Sequence, residues 1–191
     1  SHQYAFRYHI PRAGTDPVSE AVMRNFAPVD INIGLHWHHF DQPILPPVID
    51  TAVIPKHTQK NKVIVYLPFE DQQHVMKLLS LFKEFEFFIY APEKTASSYA
   101  HIHCKPLSLH GFQKDLSDCA GIICNAGFEL ASESLQLGKK ILVKPLHAQM
   151  EQTSNAAALQ LLGYGKMMHS IDIKIIEQWL DDVVTNPSTS E

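Results

Sequence analysis

The stretch Ile122-Ile123-Cys124-Asn125-Ala126-Gly127-Phe128-Glu129-Leu130-Ala131-Ser132-Glu133 changes character in its middle. An apolar, β-branched run ends in Asn-Ala-Gly. A helical pattern starts at once and continues to Leu137, with Gly138 as its C-cap. The layout then recurs: Ile141-Leu142-Val143 runs into Lys144-Pro145-Leu146-His147, and a helix from Met150 to Leu162 closes at Gly163. Two strand-to-helix junctions so close in sequence predict neighbouring parallel strands with both loops at one edge of the sheet. In open α/β sheets that edge binds ligands.

Working outward, Val63-Ile64-Val65-Tyr66-Leu67 is an apolar β run stopped by Pro68. Val75, Leu78, Leu79 and Phe82 fall at helical spacing within Gln72 to Phe85, and Phe87 to Tyr90 is the next strand. Ala91 to Ala100 reads as a polar loop or short helix, Ile102 to Cys104 as a short strand, and Phe112 to Leu116 as one or two helical turns. Lys166-Met167-Met168 is a short edge strand, and Ile171 to Val184 a last amphipathic helix. This alternation predicts an α/β fold with a doubly wound, Rossmann-like parallel sheet over residues 61–184, followed by a flexible tail, 185–191. Residues 1–60 differ. Val18 to Phe26 suits a short helix and Ile31 to Leu35 a strand, Pro43 to Pro47 is extended, and Thr51 to Asn61 is a linker. The segment lacks the elements for a core of its own, as a remnant of a larger domain would.

Composition narrows the class. With 191 residues, 45% of them hydrophobic, the chain can bury a sizeable core, and its net charge of -4 argues against nucleic acid or an anionic membrane as partner. No apolar run is long enough for a transmembrane segment, and the N-terminus lacks the features of a signal peptide. Cys104, Cys119 and Cys124 are odd in number and without metal-type spacing, so they read as reduced thiols of a cytoplasmic protein. The first residue is Ser1, as in a fragment or a processed form.

At the first junction, a helix starting after Gly127 leaves its first amides unpaired, and these, with the positive helix end, suit a phosphate. Gly127 would let a ligand approach the backbone, and Glu133 can accept two hydrogen bonds from a diol such as ribose. Glu129, in the first turn, would repel a phosphate if it pointed inward. At the second junction, Glu151, Gln152 and Asn155 share the start of a helix and suit a polyhydroxylated ligand. The plain alternatives are a strand–helix turn with solvated glutamates and a surface helix with a polar first turn. Elsewhere, His36 and His38 would share a strand face and, with His39, invite a metal reading, although no carboxylate or cysteine partner is spaced for it. Lys139 and Lys140 read as a solvated turn, Lys144 as a strand-end residue within reach of a phosphate, and Asp115 and Asp118 as caps or solvated residues of a short helix.

Taken together, Gly127, Glu133, Pro145, Glu151, Gln152 and Asn155 resemble the donor-binding region of GT-B glycosyltransferases. The nearest patterns are those of the bacterial peptidoglycan N-acetylglucosaminyltransferase and the UDP-glycosyltransferases. The resemblance implies that backbone at Gly127 and Phe128 holds the pyrophosphate of a UDP-sugar, that Glu133 binds the ribose, and that Glu151 and Gln152 bind the hexose. It further implies that Asn155 lies beside phosphate or sugar and that the loop at Leu109 holds the base through its backbone. It implies a GT-B C-terminal domain needing no cofactor or metal, with residues 1–60 as the truncated end of the N-terminal domain plus linker, and Ser1 to Phe6 an acceptor-side loop. The catalytic base and much of the acceptor site would belong to that missing N-terminal domain, leaving this chain alone with little turnover. The sequence departs from the pattern at Asn125, where relatives carry a phosphate-binding His, and at Glu129, where they carry Asn. It also lacks a Gly-rich loop after the first strand. Alternatives are a nucleotide-sugar epimerase, whose usual Asp-Ser-Gly-Gly run is missing, and a non-catalytic sugar-nucleotide-binding module.

Overall fold

Charge-free, β-branched runs decide which strands lie at the centre of the sheet. The computed structural model describes residues 2–14, 17–25, 30–50, 53, 55–91 and 96–186. A 3-10 helix, His2–Arg7, is followed by α1 (Pro17–Asn25) and a short parallel pair, β1 (Gly34–Leu35) and β2 (Ile44–Leu45). Then come β3 (Gln59–Tyr66), α2 (Gln72–Leu79), β4 (Glu86–Ala91), β5 (Ile102–Pro106), α3 (Leu109–Asp118), β6 (Cys119–Cys124) and α4 (Phe128–Gln136). The chain closes with β7 (Lys140–Val143), α5 (Met150–Leu161), β8 (Lys166–Met167) and α6 (Ile173–Thr185). The main sheet has six parallel strands in the order β5-β4-β3-β6-β7-β8. The chain walks outward from β3 to β5, returns to β6 beside β3, and walks out the other way. The order therefore reverses between β3 and β6, which makes their C-terminal ends the switch-point crevice of a doubly wound sheet.

Alternating side chains feed two cores. Val63, Val65, Ile123 and Leu142 meet α2 and α6 through Val75, Leu79, Ile176 and Trp179. Ile64, Ile122, Cys124, Ile141 and Val143 meet α3, α4 and α5 through Leu116, Ala131, Ala156 and Leu159. Gly121 permits the approach of α6: a Cβ there would lie 2.8 Å from the Trp179 ring. Ala5, Phe6, Ile10 and Ile44 form a third, small cluster that borrows Met150 from α5.

Several local expectations differ from the structure. β3 starts at Gln59 inside the expected linker, because Gln59 pairs with Cys119 and its amide donates to Asp118. The helix expected to reach Phe85 stops at Leu79; Phe82 and Phe85 join the core from the following turns. α3 is a full helix started by Ser108, whose hydroxyl accepts from the Gly111 amide, so Leu109 is its first residue and not part of a loop. The expected strand at Ile31 to Leu35 shrinks to Gly34–Leu35, and Phe26 of the expected first helix lies outside the described residues, as do parts of the linker and most of the expected tail.

Asp115 and Asp118 are not solvated caps. The Lys62 ammonium, buried at the base of β3, donates to Asp115 at 2.8 Å and to Asp118 at 2.5 Å, and the Tyr90 hydroxyl donates to Asp115. Lys139 is also buried and donates to the Ser117 carbonyl, while Lys140 lies in β7 beside Asp182. Among the described residues no helix is long and apolar enough to cross a membrane, and all three cysteines are free. Burial pushes the Cys119 and Cys124 thiols up to about 12, which keeps them protonated.

Burial opposes the charge on Asp115, but its bonds from Lys62 and Tyr90 prevail and hold its carboxyl below the ordinary range. Replacing Lys62 by Met leaves that carboxylate buried without its cation, and about 3–5 kcal/mol of stability should be lost in urea unfolding at neutral pH. A group depressed in the fold stabilises above its unfolded value, so the difference between wild type and variant should shrink below about pH 4 as Asp115 is protonated.

Candidate functional site

The site is built on the crossing from β6 to α4. The Asn125 amide nitrogen donates to the Lys144 carbonyl at 2.9 Å, and the Lys144 amide donates to the Cys124 carbonyl at 2.9 Å, so the two strand-end loops are laced together. The Asn125 side-chain oxygen is buried and has no partner. Gly127 is the N-cap of α4, with φ -70° and ψ 140°, and no side chain caps the helix. Gln149 likewise gives α5 no side-chain cap, whereas Asp71, Ser108 and Asp172 cap α2, α3 and α6. The first amides of α4 therefore face outward with the positive end of the helix behind them. A Cβ built on Gly127 would meet nothing within 4 Å, so the space over these amides is open.

Two cavities meet here. One, of about 630 Å³, is lined by His2, Gln3, Gly127, Phe128, Glu129 and Glu151 among others. The second, of about 320 Å³, lies between the β4–α3 side and α4 and is lined by Tyr66, Tyr90, Leu109, Phe112, Glu129 and Glu133 among others. Glu129 and Leu130 belong to both, so the cavities adjoin along the first turn of α4. Glu129 is exposed at this shared rim, where water screens its charge. Leu109, on α3, and Glu133, on α4, thus come together in one cavity, and Gly127, Phe128 and Glu151 in the other.

Both inner carboxyls are perturbed. Burial raises Glu133, and the charges of Glu129 and Asp50 raise it further; Asp50 and Glu133 also line a smaller cavity of about 190 Å³ under the linker. Burial raises Glu151 as well, against a hydrogen bond with Gln3. Gln152 and Asn155 are engaged with the protein. The Gln152 side-chain oxygen accepts from the Leu146 amide at 3.0 Å and braces the β7–α5 loop. Asn155 is 1% exposed; its nitrogen donates to the Ala126 carbonyl at 2.9 Å, and its oxygen lies 2.8 Å from Nε2 of His2. Lys144 is held by an ion pair with Glu70 across the strand ends.

The N-terminal segment supplies the far wall. His2 stacks on Phe128, the first residue of α4, at 3.9 Å between ring centroids, and Trp37 stacks on the same ring at 4.9 Å. The Trp37 indole donates to the Ser132 hydroxyl at 2.8 Å. The histidines expected to share a strand face do not, because β1 ends at Leu35. His36 is buried and accepts from the Trp37 amide; burial first, then His2 and His38, push it down to about 3. His38 and His39 are outside, stacked on each other, and the described residues contain no metal-binding group of His, Cys, Asp or Glu. Sequence reasoning missed His2 and Trp37 as walls of this site. Tyr66 and Tyr90 carried a signal, their positions at the C-terminal ends of strands.

A sequence model described as glycosyl transferase family 1 matches residues 38–184. No curated protein sequence matches the chain. Among solved structures, the spinosyn forosaminyltransferase is similar with a TM-score of 0.58 at 14% identity, covering 91% of this chain and 54% of its own. The glycotransferase of kitacinnamycin gives 0.55 at 12%, covering 78% and 41%. The glycosyltransferase SnogD from Streptomyces nogalater gives 0.52 at 16%, covering 92% and 48%. At such identities the likeness shows the fold, and the chain spans about half the length of these proteins or less.

Asn155→Leu removes a donor from the Ala126 carbonyl and a partner from His2, and about 1–3 kcal/mol of stability should be lost in chemical unfolding. Gly127→Ala, in open space and with an ordinary φ, should change stability by less than about 1 kcal/mol in the same measurement.

Proposed function

Because the chain belongs to glycosyl transferase family 1, we propose that it is the donor-binding half of a GT-B glycosyltransferase that takes a UDP-sugar across the start of α4. The observation that carries this reading is the pair of adjoining cavities at an uncapped helix start. The base and ribose occupy the smaller cavity, with the base against the α3 start at Leu109 and the ribose hydroxyls on Glu133. The diphosphate lies over the backbone at Gly127 and Phe128. The Gly127 amide is bonded to the Asn125 carbonyl, so the amides from Phe128 onward are the donors, and the helix end offsets the charge as the bond to the sugar breaks. The hexose reaches into the larger cavity toward Glu151 and Gln152. Asn155 acts one layer behind, holding the Ala126 carbonyl and His2. Carboxyls raised by burial, with Glu133 raised further by Glu129 and Asp50, beside a cavity favour a ligand site over a solvated turn.

In this reading the whole protein transfers a hexosyl group to an acceptor hydroxyl, and the facing half brings the acceptor and the base that takes its proton. The present chain then binds donor with little turnover. Its three free thiols support a cytoplasmic setting.

Titrating UDP, GDP and ADP and following the unfolding midpoint should show stabilisation, strongest with UDP; no shift with any of them contradicts the donor site. Glu133→Gln relieves the repulsion from Glu129 and Asp50, so the unliganded midpoint should rise at neutral pH. The same change removes a charged acceptor for the ribose and should weaken nucleotide affinity about tenfold by calorimetry. Unaltered affinity rules out the ribose role.

A further inference from the structure

His2 is set between two acceptors. Its Nδ1 lies 3.0 Å from the Leu35 carbonyl oxygen, which can only accept. Its Nε2 lies 2.8 Å from the Asn155 side-chain oxygen. That oxygen cannot be exchanged for the amide nitrogen, because the nitrogen is needed by the Ala126 carbonyl at 2.9 Å, and a turned amide would set oxygen against oxygen. Both contacts are hydrogen bonds only when both ring nitrogens carry hydrogen, which is the imidazolium form. A neutral ring that keeps its bond to Leu35 directs a lone pair from Nε2 at the oxygen of Asn155.

The surroundings within the protein act against that charge. His2 is 5% exposed, the His36 ring lies 5.5 Å away, and the positive end of α4 is close by. Burial is the largest influence and holds the ring below its ordinary value despite the bonds to Leu35 and Asn155. The carboxyls facing the same cavity are Glu129, at the exposed rim, and Glu151, itself raised by burial and bonded to Gln3. The ring lies flat on Phe128, tilted by 8°, and the π face there favours a cation.

We propose that His2 is the charge partner of the donor's diphosphate, so that an anion arriving over the start of α4 is bound together with one proton. This rests on the donor-site reading above. The proton comes from solvent and settles on Nε2, completing the bond to Asn155, and it returns to solvent when the diphosphate leaves. Both ring nitrogens stay on their protein acceptors, so His2 acts through space and is a positioning residue. Without the anion, the cation and the helix end repel each other; with it, both attract the same group in a site poor in water.

The test is calorimetry with UDP-glucose, GDP-glucose and ADP-glucose at about pH 7.5, in two buffers of different ionisation enthalpy. A sugar diphosphate has no terminal phosphate titrating near neutrality, so protons taken up belong to the protein. Wild type should take up close to one proton per bound nucleotide sugar, and affinity should fall up to about tenfold per pH unit as pH rises above neutrality. His2→Gln should bind about tenfold more weakly, without proton uptake and with a flat pH profile. Should that variant fail to fold, the Nε2 resonance of His2 in wild type should move to the imidazolium range on adding the nucleotide sugar. Binding without proton uptake, or a variant that still takes up the proton, overturns the role of His2 and leaves the donor site standing. Binding of none of the three overturns both.

Discussion

One buried amide ties the site together. Asn155, on α5, holds the carbonyl of Ala126 in the loop before α4 and faces His2 from the N-terminal segment. Its burial makes each contact costly to lose, since a backbone carbonyl or an imidazole would be left unpaired away from water. The N-terminal segment adds its own clamps. Ala13 exchanges hydrogen bonds with Ser154, Trp37 reaches Ser132, and Met150 completes the cluster around Phe6. The larger cavity therefore has walls drawn from opposite ends of the chain, seated on the starts of α4 and α5.

Perturbed charges fall into two kinds. Lys62, Asp115 and Tyr90 form a buried group in which every charge meets an opposite charge or a hydrogen bond, with half-buried Asp118 as a further partner of Lys62, as in a structural pair. Glu133 and Glu151 are shifted by burial, and Glu133 also by like charges, beside open space and the uncapped start of a helix. The first arrangement is completed by the protein's own groups. The second leaves carboxyls and helix amides that a ligand with hydroxyls and an anion would complete in the donor-site proposal.

Much of the fold was legible because it is written in local periodicity. The charge-free run at Val63 to Val65 and the junction at Asn125 to Gly127 predict buried parallel strands and the edge where helices begin. The two cavities lie at that edge, along with Leu109, Gly127, Phe128, Glu133 and Glu151. The errors came where a polar residue finds a distant partner. Asp115 and Lys139 looked solvated because Lys62 and the Ser117 carbonyl, which bury them, are 53 and 22 residues away. Nothing in the neighbourhood of Gln152 and Asn155 shows that Leu146 and Ala126 engage part of each side chain, contacts that leave their part in a ligand site to the proposal above.

Local sequence settled the alternation of strand and helix, the pair of strand-to-helix junctions, and the residue types at the two helix starts. Those features repeat at the spacing of a strand or a helix turn and need no knowledge of the rest of the chain. Only the tertiary structure decided which polar groups remain open. His2 and Asn155 are 153 residues apart, yet they meet at 2.8 Å over the start of α4. Whether a side chain is spent or available depends on desolvation and on partners brought together by packing, and no local pattern encodes either.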